Sequence, residues 1–136
     1  TGATRRLESQ IPVETLRRLD VLRAVAHGLA MIDNIRGADF NGRYLLLALK
    51  TGEPRRLVGA LATEIVFLAS QAGRAGQHAR RLYAELGPLA DACPDRAYGR
   101  TWLLLADGAA AVAAYRARRA DDKALGGTDG SVPPRA

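Results

Sequence analysis

Few residues of this 136-residue chain are of a type that does chemistry, and they are scattered. There are two histidines, His27 and His78, and a single cysteine, Cys93. A zinc site needs three or four ligands at characteristic spacing, and one Cys with two distant His falls short of that. His27 reads as a partly buried helix residue and His78 as a solvent-facing one. Cys93 sits beside Pro94 in a loop, where it is expected to be accessible but inert, because no pattern around it argues for a lowered pKa. It has no second cysteine with which to form an internal disulfide.

Glu64 interrupts an otherwise apolar helix. The expectation is that it pairs with an arginine of a neighbouring helix or reaches the edge of the apolar stripe. No GxxxxGK[ST] phosphate loop is present, and only Lys50 and Lys123 could serve as a phosphate lysine. The kinase signatures HRD and DFG are absent. Lys50-Thr51-Gly52 matches the KTG of penicillin-binding enzymes, but no S-x-x-K accompanies it and it falls at a helix end, so it reads as chance. No catalytic, cofactor-binding or metal-ligating residue is assigned, and the chain is read as non-enzymatic and without a cofactor.

Arginine doublets and runs are the other candidate chemistry: Arg17-Arg18, Arg55-Arg56, Arg80-Arg81 and Arg116 to Arg119. With a net charge of +6 and a pI near 10.2, they raise nucleic acid or an acidic surface as partners. Single-strand binders interleave basic residues with aromatics, and these stretches offer little beyond Tyr83 and Tyr115. Solvated helix faces and a GC-rich codon bias explain the arginines better, so a nucleic-acid-binding helical domain is kept only as the alternative reading.

The chain must then supply elements to position these residues. It is 48% hydrophobic but only 5% aromatic, so its apolar content is mostly Ala and Leu, both strong helix formers. No segment alternates apolar and polar residues over a strand's length, which points to an all-α chain. The opening TGATRRLESQ has no apolar core of a signal peptide. The uncharged runs are far shorter than the roughly 20 residues of a membrane span. A cytoplasmic setting without membrane contact is the expectation. Because the chain starts at Thr1 rather than Met, it reads as a piece of a longer protein.

Residues 1–10 are polar and expected to fray. Leu16, Leu19, Leu22, Val25 or Ala26, and Leu29 form one helical stripe, predicting a first helix from about Val13 to Met31. Asp33 should cap a second helix, which Gly52 ends. Ile35, Ala38, Gly42, Leu45 and Leu49 line one of its sides and Phe40, Tyr44, Leu47 and Ala48 another. That two-sided pattern predicts an inner helix, with Gly37 and Gly42 admitting close neighbours. Pro54 opens a third helix with Glu53 at its positive end and Leu57, Leu61, Ile65, Leu68 and Ala72 as its stripe. Gly73 and Gly76 mark a turn, and a fourth helix follows from about Gln77, weakened or kinked at Gly87-Pro88. Pro94 starts the fifth, with a face of Trp102, Leu105, Ala109 and Val112. The Gly- and Pro-rich tail from Gly126 should be unstructured.

Pro12, Pro54 and Pro94 open helices at intervals of 42 and 40 residues. Helices one and two, then three and four, become successive hairpins, and such a period suits an α-solenoid. A plain five-helix bundle is the alternative. The fold expectation is about five helices, stacked as antiparallel hairpins over residues 11–125, between a frayed 1–10 and a disordered 126–136.

The run IRGADFNGRYLLLALKTGEPRRLVGALATEIVFLA resembles a segment of large bacterial serine/threonine kinases that also carry an ATPase-type module. The resemblance covers roughly Leu16 to Ala72 and rests on Asp33, Arg36 to Phe40, Leu45 to Leu49 and Gly52 to Pro54. Asn34 stands where a proline is expected, and the tail has no counterpart. The resemblance implies a tetratricopeptide-like helical region with a regulatory or scaffolding role in signalling, and no catalytic residues. Its partner is then a protein or peptide, or adjacent repeats of the same chain. The apolar stripe of the fifth helix adds an expectation of self-association through that helix.

Overall fold

The computed structural model describes residues 6–71 and 73–126, and among these every regular element is helical. A short 3-10 turn at Glu8–Gln10 precedes α1 (Val13–Ala30), α2 (Asn34–Thr51), α3 (Pro54–Ala69), α4 (Arg74–Asp91) and α5 (Arg96–Gly126). The all-α, five-helix expectation holds. The tail 127–136 and residues 1–5 lie outside the described residues.

Local chemistry sets most boundaries. The Asp33 carboxylate accepts a hydrogen bond from the Arg36 N–H at 3.1 Å, capping α2. Gly52 ends that helix in the left-handed conformation, φ 69°, a region costly for any residue with a Cβ. Glu53 caps α3, accepting from the N–H groups of Arg55 at 3.0 Å and Arg56 at 2.8 Å, and Pro54 occupies its first turn. The three prolines therefore play different parts. Pro12 is the residue before α1, Pro54 is inside α3, and Pro94 lies two residues ahead of α5, whose first turn Asp95 caps through the Tyr98 N–H.

Several expectations are corrected. Arg6–Gln10 is tied down, since the Arg6 N–H donates to the Gly52 carbonyl at 2.9 Å. Helix α4 starts at Arg74, three residues early, directly after Gly73 with its positive φ of 77°, and Gly76 lies within the helix near the Ala113 methyl. It runs unbroken past Pro88 to Asp91. The carbonyl that Pro88 leaves without a helical donor is that of Ala84, an exposed residue, so water can serve it.

The inner helix is α3, not α2. Residues 57–63 of α3 are buried on every side, as are Ile65, Phe67 and Ala69. Helix α2 buries a single stripe of Gly37, Asn41, Tyr44, Ala48 and Thr51, leaving Ile35 84% and Leu46 62% exposed. Gly42 faces open space. Of these two glycines, Gly37 marks the close crossing: a Cβ there would lie 2.9 Å from the Ala30 backbone nitrogen. Likewise α5 buries Gly99, Ala106, Ala110 and Ala113 and leaves Leu105 and Val112 about half exposed. Small side chains let α5 approach its neighbours, so the buried face is not the bulkiest one.

Consecutive helices pack on one another, and α3 also packs on α5. Two cores result. Leu19, Tyr44, Ala48, Leu57 and Ala60 unite α1, α2 and α3. Val58, Leu61, Ala62 and Ile65 join Leu86, Ala90 and Ala106 across α3, α4 and α5. Leu45 and Leu89 touch both. Helix α3 thus belongs to both cores, and α1 and α5 flank it on one side.

Candidate functional site

Two hollows open on that side, lined by α1, α3 and α5 together with Glu8 and a few neighbouring residues. The first, about 320 Å3, is lined by Glu8, Asp20, Arg23, Tyr44, Arg55, Arg56 and Tyr98. The second, about 350 Å3, is lined by His27, Ala30, Asn34, Thr63, Val66, Phe67, Ser70, Trp102 and Leu105. Residue numbers rise from the first to the second on all three helices. The three helices are therefore parallel here, and the two hollows lie in line along α3, as a groove crossed between them by the side chains of Tyr98 and Trp102.

A ladder of rings separates and joins them. The Arg55 guanidinium lies 4.4 Å from the centroid of the Tyr98 ring. Tyr98 meets Trp102 edge-on at 6.0 Å, and Trp102 faces His27 of α1 at 6.3 Å. This ladder rests on α3 at Gly59, where a Cβ would fall 3.1 Å from the Tyr98 hydroxyl and 3.6 Å from Trp102. The His27 imidazole also comes within 3.5 Å of Thr63 Oγ1. Desolvation, helped by the nearby Arg23 charge, lowers its pKa from the usual 6.5.

The polar end is built around Arg56. Its guanidinium bridges both carboxylate oxygens of Asp20, at 3.0 and 3.1 Å, and reaches Glu53 at 3.4 Å and Glu8 at 3.5 Å. The Asp20 hydrogen bond holds this guanidinium protonated well beyond its ordinary range. Tyr44 donates its hydroxyl to the Arg56 carbonyl at 3.1 Å, and burial raises its pKa. Arg23 and Arg55 make no ion pair among the described residues. The apolar end is the opposite in character: Val66, Phe67, Trp102 and Leu105 line it, and beside Ala30 the turn residues Met31 and Ile32 are 89% and 88% exposed.

The residues singled out earlier distribute as follows. His27 joins the groove, whereas His78 is solvent-facing. Cys93 is buried, 3% exposed, rather than accessible, and desolvation raises its thiol pKa, which leaves it inert. Glu64 pairs with Asn41 Nδ2 at 2.8 Å instead of an arginine, while the Oδ1 of the fully buried Asn41 has no partner among the described residues. Thr51 of the KTG tripeptide is buried, its hydroxyl donating to the Ala48 carbonyl at a helix end. The described residues hold no cluster of three potential metal ligands.

The arginine runs divide. Arg55 and Arg56 stand at the start of α3. Arg116 donates to the carbonyls of Ala69 and Ser70 at its other end, beside Arg74 and Arg80 in a separate hollow of about 660 Å3. Tyr98, Arg23 and Val66 were not picked out from the sequence. The only signal was the i,i+4 spacing of Tyr98 and Trp102, which places both rings on one helix face. Compared with family models, curated proteins and solved structures, the chain shows no significant match.

Proposed function

We propose that this chain is a non-catalytic protein-interaction domain that holds a segment of a partner protein in the groove over α3. One observation carries this reading. On the side of the central helix between α1 and α5 a hollow opens toward each end, and the chain's single tryptophan, packed on the α3–α5 core, stays part-exposed and lines one of them. Exposed apolar surface rimmed by polar groups marks interaction sites, and aromatic residues and arginine are enriched in them. The resemblance of the Leu16–Ala72 stretch to helical regions of bacterial signalling kinases supports a scaffolding role beside a kinase, in the cytoplasm. No helix among the described residues is long and apolar enough to cross a membrane.

The nucleic-acid alternative is weakened by geometry. Arg56 and Arg116 are engaged within the fold, and the clusters they belong to sit at opposite ends of α3, roughly 24 Å apart for a 16-residue helix. The test is selection of random twelve-residue peptides displayed on phage against the intact chain, followed by titration of the isolated peptides. Selected peptides should change Trp102 emission and lose binding to the Val66→Asp variant. Binders indifferent to that substitution, or no binders, would refute the groove as the site.

A further inference from the structure

Resting on that reading, we infer that the groove selects an extended segment pairing an acidic side chain with a large apolar one about five residues away. The two ends of the groove differ in what they lack. At the polar end three carboxylates, Glu8, Asp20 and Glu53, all converge on Arg56. The lining sets Arg23, Arg55 and Arg56 against Glu8 and Asp20, and both of these carboxylates turn toward Arg56. Arg23 and Arg55 line the same hollow without a carboxylate partner among the described residues. The Arg55 guanidinium carbon moreover sits over the Tyr98 ring. A guanidinium stacked on a ring keeps its in-plane N–H edge free, and that edge matches a carboxylate. An incoming Asp or Glu therefore meets two cations, one of them pre-oriented.

At the other end the lining is apolar. Val66, Phe67, Trp102 and Leu105 surround a hollow of about 350 Å3, enough to bury a leucine or phenylalanine side chain. A charged group there would lose hydration against these walls, with the polar groups of Asn34, Thr63 and Ser70 and the His27 ring as its neighbours in place of an opposite charge. The spacing comes from α3, the floor of both hollows. Arg55 and Val66 are 11 positions apart on it, which at about 1.5 Å per residue is roughly 16 Å. An extended chain advances about 3.3 Å per residue, so roughly five residues cover that distance. The tilted rings of Tyr98 and Trp102 lie between the two hollows.

The experiment uses the intact chain, whose only tryptophan is Trp102. Tryptophan-free peptides carry one Glu and one Leu separated by zero to eight small residues, in both orders, and binding is read from Trp102 emission. Affinity should peak when about five positions separate the two. Replacing the peptide's Glu by Gln should weaken binding roughly three- to tenfold at low salt, an effect shrinking as salt rises. The variant Arg23→Gln with Arg55→Gln should bind the Glu and Gln peptides equally. Circular dichroism checks that the fold is kept, Arg55 being exposed and Arg23 half-buried. Binding that ignores spacing, or ignores the Glu, overturns this selectivity while leaving the groove as a general apolar site. Loss of the groove itself reads differently, as indifference to Val66→Asp.

Discussion

At the scale of single residues, Arg56 bears the largest electrostatic responsibility. Its side chain is 15% exposed and answers Glu53, itself 6% exposed, together with the half-exposed Asp20 and Glu8. Removing one partner of a buried pair costs several kcal/mol, whereas exposed pairs are worth under about 1 kcal/mol. Arg56→Ala should therefore destabilise the chain by about 2 kcal/mol in urea unfolding, more than a lost surface pair costs. Arg56→Lys should recover only part, because an ammonium cannot span both Asp20 oxygens as the guanidinium does. A loss below about 0.5 kcal/mol would show that solvent screens the cluster. The sequence offered Arg56 only as half of a basic doublet. Its three partners come from the N-terminal turn, α1 and the α3 cap, and no local pattern unites them. His27 is a similar case, since its neighbours Thr63 and Trp102 lie on two other helices.

At the scale of elements, the caps were legible and the buried faces were not. Asp33, Gly52, Glu53 and Pro54 act on backbone groups within a few residues of themselves, so their identity suffices. Which side of α2 or α5 is buried depends on how closely another helix approaches. In segments where Ala, Leu and Gly occur all round, apolar periodicity does not settle that. Gly37 and Gly42 make the distinction measurable. A Cβ at residue 37 would meet the rigid backbone of α1, at Ala30 N and the Ala26 carbonyl oxygen, whereas residue 42 has open space around it. Gly37→Ala should cost about 1–3 kcal/mol by prising α1 from α2. Gly42→Ala should instead stabilise by about 0.5–1 kcal/mol, because alanine loses less backbone entropy in a helix. Thermal unfolding of the two variants should move in opposite directions. Equal effects would mean that the α1–α2 crossing is looser than its geometry.

At the scale of the whole molecule, five successive helices were legible from the prolines and apolar stripes, while the groove came from alternate helices that lie side by side. Alternation also leaves α5 with one flank that no other helix covers among the described residues. At 31 residues it extends roughly 46 Å, against roughly 27 Å for the 18-residue α4 it packs on. Leu104, Val112 and Tyr115 lie along its outer side, 72%, 48% and 53% exposed, with Gly108 and Ala111 between them. Two such helices can pack through small residues that let their backbones draw close while the larger ones interlock. The expected outcome is concentration-dependent self-association of the intact chain, seen as a rising mass in sedimentation equilibrium. Leu104→Glu with Val112→Glu should shift it to monomer without loss of helicity, since both side chains already face water and the buried face of Ala106, Ala110 and Ala113 is untouched. Val66→Asp, in the groove, should leave the mass unchanged, separating the two surfaces. A chain that stays monomeric at several hundred micromolar would assign the stripe on α5 no role in self-association, and the proposed partner binding would then rest on the groove alone.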